Sequence, residues 1–117
     1  MFMIPKVYQP GTSPEERAGE GFTPPADAVA KMMKFNEELS SAGALVSLDG
    51  LHPITKGARV IFFDGEHRVV DGPFIEAKEV IGSYWIIDVR SKEEAVGWAK
   101  RVPAEDGDII EVRQANF

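Results

Sequence analysis

Val69-Val70-Asp71-Gly72-Pro73-Phe74-Ile75-Glu76-Ala77-Lys78-Glu79-Val80-Ile81-Gly82 is the stretch that decides how this chain divides into strands. Pro73 fixes φ and withholds a backbone donor, so the β run ending in Val69-Val70-Asp71 must leave its ladder there. A turn is predicted with Gly72 first, Pro73 second and Phe74 third, and with Asp71 placed to bond the backbone amides just beyond it. Upstream, Ala58–Phe63 and Glu66–Val70 flank Asp64-Gly65, a dipeptide that suits the left-handed positions of a two-residue hairpin loop. Downstream, Ser83-Tyr84-Trp85-Ile86-Ile87-Asp88-Val89 is rich in aromatic and β-branched residues and reads as a central strand. The quoted stretch is therefore the exit of a β-ribbon toward the middle of a sheet. Its charges, Asp71, Glu76, Lys78 and Glu79, read either as solvated ion pairs around a capped turn or as the wall of a pocket.

Working outward, residues 1–8 read as a strand troubled by Pro5, which requires either an edge position or an interruption of pairing. Residues 9–24 carry four glycines or prolines among polar residues up to Gly19 and two more beyond it, a loop composition, and the length suits either a lid or a plain surface loop. From Pro25 to Ala42 the apolar residues Ala28, Val29, Met32, Phe35, Leu39 and Ala42 recur at helical spacing, with Thr23 as a cap and Gly43 as the left-handed stop. Glu37 is read as part of the solvated helix face, with a reach toward the sheet as the alternative. Ala44–Leu48 is a second strand, ended by Asp49-Gly50. Ser91 and Glu94 form a predicted capping box for a helix that buries Ala95, Trp98, Ala99 and Val102 and stops before Pro103. Asp108–Arg113 is the last strand.

With the ribbon set aside, the order is β-α-β-β-α-β, an α+β ferredoxin-like arrangement with an inserted β-hairpin, in which two helices cover one face of an antiparallel sheet. The other face stays bare, and a homodimer through that open sheet face would cover it. The 117 residues suffice for a single domain spanning 1–117.

Composition narrows the function classes. There is no cysteine, which excludes disulfides, thiolate metal sites and cysteine nucleophiles. The net charge of −6 and a pI near 4.9, with no dense Lys/Arg cluster, argue against direct nucleic-acid binding. The apolar runs are too short to span a bilayer and the first residues lack the features of a secretory signal, so no membrane association and a cytoplasmic location are expected.

The chain resembles the YCII-related family, in particular the branch of DGPF-domain proteins. The resemblance rests on Asp71-Gly72-Pro73-Phe74 with Glu76, Lys78 and Glu79, on Phe35-Asn36-Glu37-Glu38-Leu39 with Ala42-Gly43, on Gly50-Leu51-His52-Pro53, on Gly57-Ala58-Arg59-Val60 and on Arg101-Val102-Pro103. It implies a ferredoxin-like fold assembled as a dimeric α/β barrel, in a superfamily that includes small isomerases, monooxygenases and dehalogenase-like proteins. It also implies a histidine–aspartate pair as the catalytic group of the YCII branch, no generally established reaction for the DGPF branch, and a genomic association with extracytoplasmic-function sigma factors. Asp49 stands where relatives usually carry Glu, which keeps the charge and shortens its reach.

The candidate catalytic residues are His52 and Asp71. A histidine near its ordinary pKa both accepts and releases a proton at neutral pH, and a carboxylate beside it would fix its tautomer, which is adequate machinery for proton transfer next to a carbonyl. Asp49, Arg59, Phe74, Glu76 and Lys78 are the candidate substrate-binding residues, with Arg59 suited to hold an anionic small molecule. His67, near the hairpin tip, is expected to be exposed. Tyr84 and Trp85 read as core packing, with a pocket wall as the alternative. His52, Asp49 and Asp71 make too sparse a set for an ordinary metal centre, so no metal and no cofactor are expected. The alternative to an enzyme is a non-catalytic ligand-binding or regulatory module built on the same pocket.

Overall fold

The computed structural model describes residues 1–6, 25–52, 54–72 and 80–115. Thr23 as a cap, the 9–24 loop with its lid role, and the turn through Pro73 and Phe74 lie outside the described residues. Within them the elements are β1 (Phe2–Ile4), α1 (Ala26–Ser41), β2 (Leu45–Gly50), a 3₁₀ turn (Ile54–Lys56), β3 (Ala58–Phe63), β4 (Glu66–Asp71), β5 (Ser83–Ile87), α2 (Lys92–Arg101) and β6 (Ile109–Glu111). A four-stranded antiparallel sheet has the order β2-β5-β1-β6, and β3 with β4 forms a separate two-stranded ribbon. Two helices, an antiparallel sheet and an inserted hairpin are the α+β arrangement expected of a ferredoxin-like fold.

β5 is central, as its composition predicts, and β1 lies between β5 and β6. β1 is shorter than the predicted 1–8. Its pairing stops at Ile4, and Pro5 follows just outside the ladder, so interruption rather than an edge position accommodates the proline.

Alternation along the strands turns one sheet face toward the helices. Met1, Met3, Leu48, Trp85, Ile87, Ile110 and Val112 pack there against Phe35 and Leu39 of α1 and Trp98 and Ala99 of α2. Trp85 is the centre of this layer. It is 4% exposed, its ring meets Phe35 edge-on at a centroid distance of 6.1 Å, and its indole Nε1 donates to Asn36 Oδ1 at 2.9 Å. Asn36 thus faces the sheet in the middle of α1, whereas Val29, expected on the buried face, is exposed. Arg101 joins the helices by pairing with Glu38 of α1, and its guanidinium lies 4.5 Å from the ring centroid of Trp98 on its own helix. The Met1 amino group donates to the Trp85 carbonyl at 2.7 Å, and burial holds its pKa below the ordinary value of 8.0.

The helix ends follow local chemistry. Gly43 has φ +74°, its N–H donates to Ser40 and that of Ala44 to Leu39, which is the Schellman closure of α1. At α2, Ser91 Oγ accepts from the Glu94 N–H at 3.1 Å, the predicted N-cap. The reciprocal arm differs by one residue, since Glu94 Oε2 accepts from Arg90 N–H at 3.0 Å. With Ser91 extended at φ −155° and ψ 163°, the amide within reach of that carboxylate is the preceding one.

The ribbon turns at Asp64 and Gly65, both at positive φ, 50° and 77°, as a type I′ loop requires. His67 is exposed beside Phe62, with ring centroids 6.1 Å apart.

Candidate functional site

β2 runs two residues past its predicted end and carries Asp49 and Gly50 within the ladder. An irregularity between Leu45 and Ser47 shifts the register so that Ser47 lies opposite Ile86 and Asp49 opposite Tyr84. Because the adjacent Leu48 and Trp85 face the helices, Asp49 and Tyr84 lie on the other, open face. The Tyr84 hydroxyl reaches Asp49 Oδ2 at 3.5 Å. Tyr84 is therefore only half-buried, and the core role expected for Tyr84 and Trp85 together belongs to Trp85.

Past Gly50 the chain stays tied to β5, with the Leu51 N–H donating to the Gly82 carbonyl at 2.9 Å, and His52 follows, exposed. His52, Asp49 and Tyr84 thus share one end of the β2–β5 pair. Among the described residues, no hydrogen bond or ion pair joins His52 to a carboxylate.

The 3₁₀ turn then anchors the ribbon through Ile54, 5% exposed. The Gly57 N–H donates to the Ile54 carbonyl at 3.1 Å and the Gly72 N–H to the Gly57 carbonyl at 2.8 Å. Gly72 sits so close to this turn that a Cβ built on it would overlap the Ile54 carbonyl oxygen and stand 2.7 Å from its carbon. The glycine of Asp71-Gly72 is therefore a packing requirement at the ribbon's base.

The ribbon register separates two other candidates. Ala58 pairs with Asp71 and Arg59 with Val70, so Asp71 and Arg59 occupy opposite faces of the ribbon. Both are exposed. Phe74, Glu76 and Lys78 lie outside the described residues. Among the described residues no group of three or more His, Asp and Glu side chains is placed to hold a metal ion, and no helix is long and apolar enough to cross a membrane.

The arrangement offers a carboxylate and a phenol facing each other across β2 and β5, with an exposed imidazole just past the end of β2. A model of the YCII-related domain matches residues 2–115. The chain belongs to the YCII-related family. An uncharacterized protein, R00369, from Rhizobium meliloti (strain 1021) is 39% identical over 59 residues, which is 50% of this chain and 48% of that protein. The matched region thus spans about half the length of that curated relative. Within this YCII-related chain, Tyr84 is the polar group that sequence reading assigned to packing; its approach to Asp49 depends on the register shift in β2, which no local pattern announces.

Proposed function

We propose that this YCII-related chain is one subunit of a homodimer that binds a small organic molecule at the Asp49–His52–Tyr84 end of the sheet and moves a proton on it through His52. The observation that carries the reading is the approach of Tyr84 to Asp49 on the open face, with the exposed His52 following at the same end of the β2–β5 pair. Asp49 with Tyr84 supplies an acceptor and a donor for a polar ligand, and the solvent-reachable imidazole supplies a ring nitrogen able to take up and hand on a proton. Support for the dimer comes from the same face, where Phe2, Ile86 and Ile109 point away from the helices and the latter two are 38% and 41% exposed. Closing two such faces on each other would give the dimeric α/β barrel that the family resemblance implies.

The non-catalytic reading, a ligand-binding or regulatory module with a link to sigma-factor-dependent transcription, is favoured by one observation: no described carboxylate is bonded to His52. One experiment separates the two. A panel of small carbonyl compounds is screened by thermal shift, since binding to the native state raises the midpoint. Compounds that bind are then incubated in D₂O, and loss of the α-proton signal is followed by NMR. The wild-type protein is expected to exchange that proton, and His52→Ala to slow exchange by roughly 10²–10⁴-fold while keeping the thermal shift. Equal shifts with no exchange by either protein would leave the binding module as the function.

A further inference from the structure

The outer edge of β3 is the sheet edge that the fold leaves unprotected. The ribbon has only two strands, so each strand has one bare edge, and the Gly72 N–H bond to the Gly57 carbonyl fixes which residues face it. With Gly57 and Gly72 a bonded pair, alternation along the register makes Arg59–Val70, Ile61–Arg68 and Phe63–Glu66 bonded pairs too. It turns the N–H and C=O of Ala58, Val60 and Phe62 away from β4. Among the described residues no hydrogen bond joins these outward groups to another element.

The other edges carry features that discourage pairing. β2 is interrupted between Leu45 and Ser47, β6 is three residues long, and β4 presents Glu66, His67, Arg68 and Asp71. β3 reads Ala58-Arg59-Val60-Ile61-Phe62-Phe63, with an unbroken register, no proline and a single charge. All of it is exposed, Val60 to 52% and Phe62 to 78%. A lone two-stranded hairpin is marginal in water, whereas four strands make an ordinary sheet.

We propose that this edge pairs antiparallel with the same edge of a second copy, joining two ribbons into one sheet in the order β4-β3-β3-β4. A twofold axis at Val60 is the register that uses every outward group: Val60 faces Val60, and Ala58 faces Phe62 on either side, each pair exchanging both of its hydrogen bonds. The side chains suit that register. The small Ala58 lies opposite the large Phe62, Arg59 lies opposite Ile61 so that no like charges meet, and beyond the strand ends the exposed Asp64 of one copy comes level with the exposed Lys56 of the other. Each ribbon tip thereby sits level with the Ile54–Lys56 turn that follows His52 in the other copy. Two strand edges make a small interface, so the contact forms at roughly 100 µM chain and above, and it does not depend on the open sheet face.

The chain has no cysteine, so Val60→Cys gives each copy one thiol, and this register sets the two Cα atoms about 5.5 Å apart, within disulfide reach. Oxidation with diamide at that concentration, followed by denaturing electrophoresis, is expected to yield a linked pair, with or without Ile86→Glu. Val69→Cys, on the outward side of β4, is expected to link roughly tenfold more slowly or less. In sedimentation velocity, Ile86→Glu is expected to pass from monomer to dimer as its concentration rises, and adding Val60→Pro or Val60→Lys to weaken that step roughly tenfold or more. The Val60 N–H lies outside the ribbon ladder, so the proline spares β3–β4, and circular dichroism should show both variants folded. Equal linking at Val60→Cys and Val69→Cys, or indifference of the association to both Val60 substitutions, would overturn the proposal. An Ile86→Glu protein still monomeric at roughly 1 mM would overturn it too, leaving the edge to a strand of another protein.

Discussion

Gly72→Ala is expected to lower the stability of the folded chain by about 3 kcal/mol, at the upper end of overpacking penalties, because the new Cβ meets backbone rather than a side chain that could turn aside. The overlapped group is the Ile54 carbonyl, which already accepts the Gly57 N–H, so relief by rotating that peptide would break the turn at the ribbon's base. Urea denaturation followed by circular dichroism measures the loss. Gly97→Ala is the matched control. Gly97 lies inside α2 with nothing within 4 Å of a built Cβ, so that change is expected to stabilise by up to about 1 kcal/mol. A Gly72→Ala protein as stable as wild type would show that the ribbon base is not packed as described.

Trp85→Ala is expected to cost about 3–5 kcal/mol, the range for removing a large buried aromatic. The indole fills the layer between β5 and α1, touches Phe35 edge-on and donates to Asn36. Trp85→Phe isolates the polar part, since it keeps an aromatic ring and leaves Asn36 without its donor, at a cost of about 1–3 kcal/mol. Chemical denaturation of the two variants and the wild type orders them, with the alanine variant least stable. Equal loss in both would assign the position's whole effect to the hydrogen bond and none to ring volume.

The parts of the fold legible from sequence were those set by local chemistry. Asp64-Gly65 announced the hairpin because few other dipeptides adopt two successive positive φ values, and Gly43 announced the end of α1 for the same reason. Ser91 announced the start of α2, since its hydroxyl needs only the amide of Glu94 three residues on. What escaped reading depended on partners distant in the chain. The register shift between Leu45 and Ser47 decides that Asp49 meets Tyr84, and Asn36 faces the sheet only because Trp85 waits there with a donor. The close approach of Gly72 to Ile54 likewise arises from two segments meeting, although Pro73 beside it had already marked the position as a turn.

For the site, sequence order placed Asp49 and His52 near one another because only two residues separate them, and the structure keeps them on one strand end. The separation of Arg59 from Asp71 was readable in principle: a two-residue loop at Asp64-Gly65 makes Ala58 the partner of Asp71, and alternation then sends Arg59 to the other face.

Sedimentation velocity of the intact chain at micromolar concentration tests most directly the claim that a second copy covers the open sheet face. The wild-type protein is expected to sediment as a dimer of 12.9 kDa chains, and Ile86→Glu, which puts a charge on that face at a position already 38% exposed, to sediment as a folded monomer. A wild-type protein that sediments as a single 12.9 kDa species across the concentration range would contradict the homodimer.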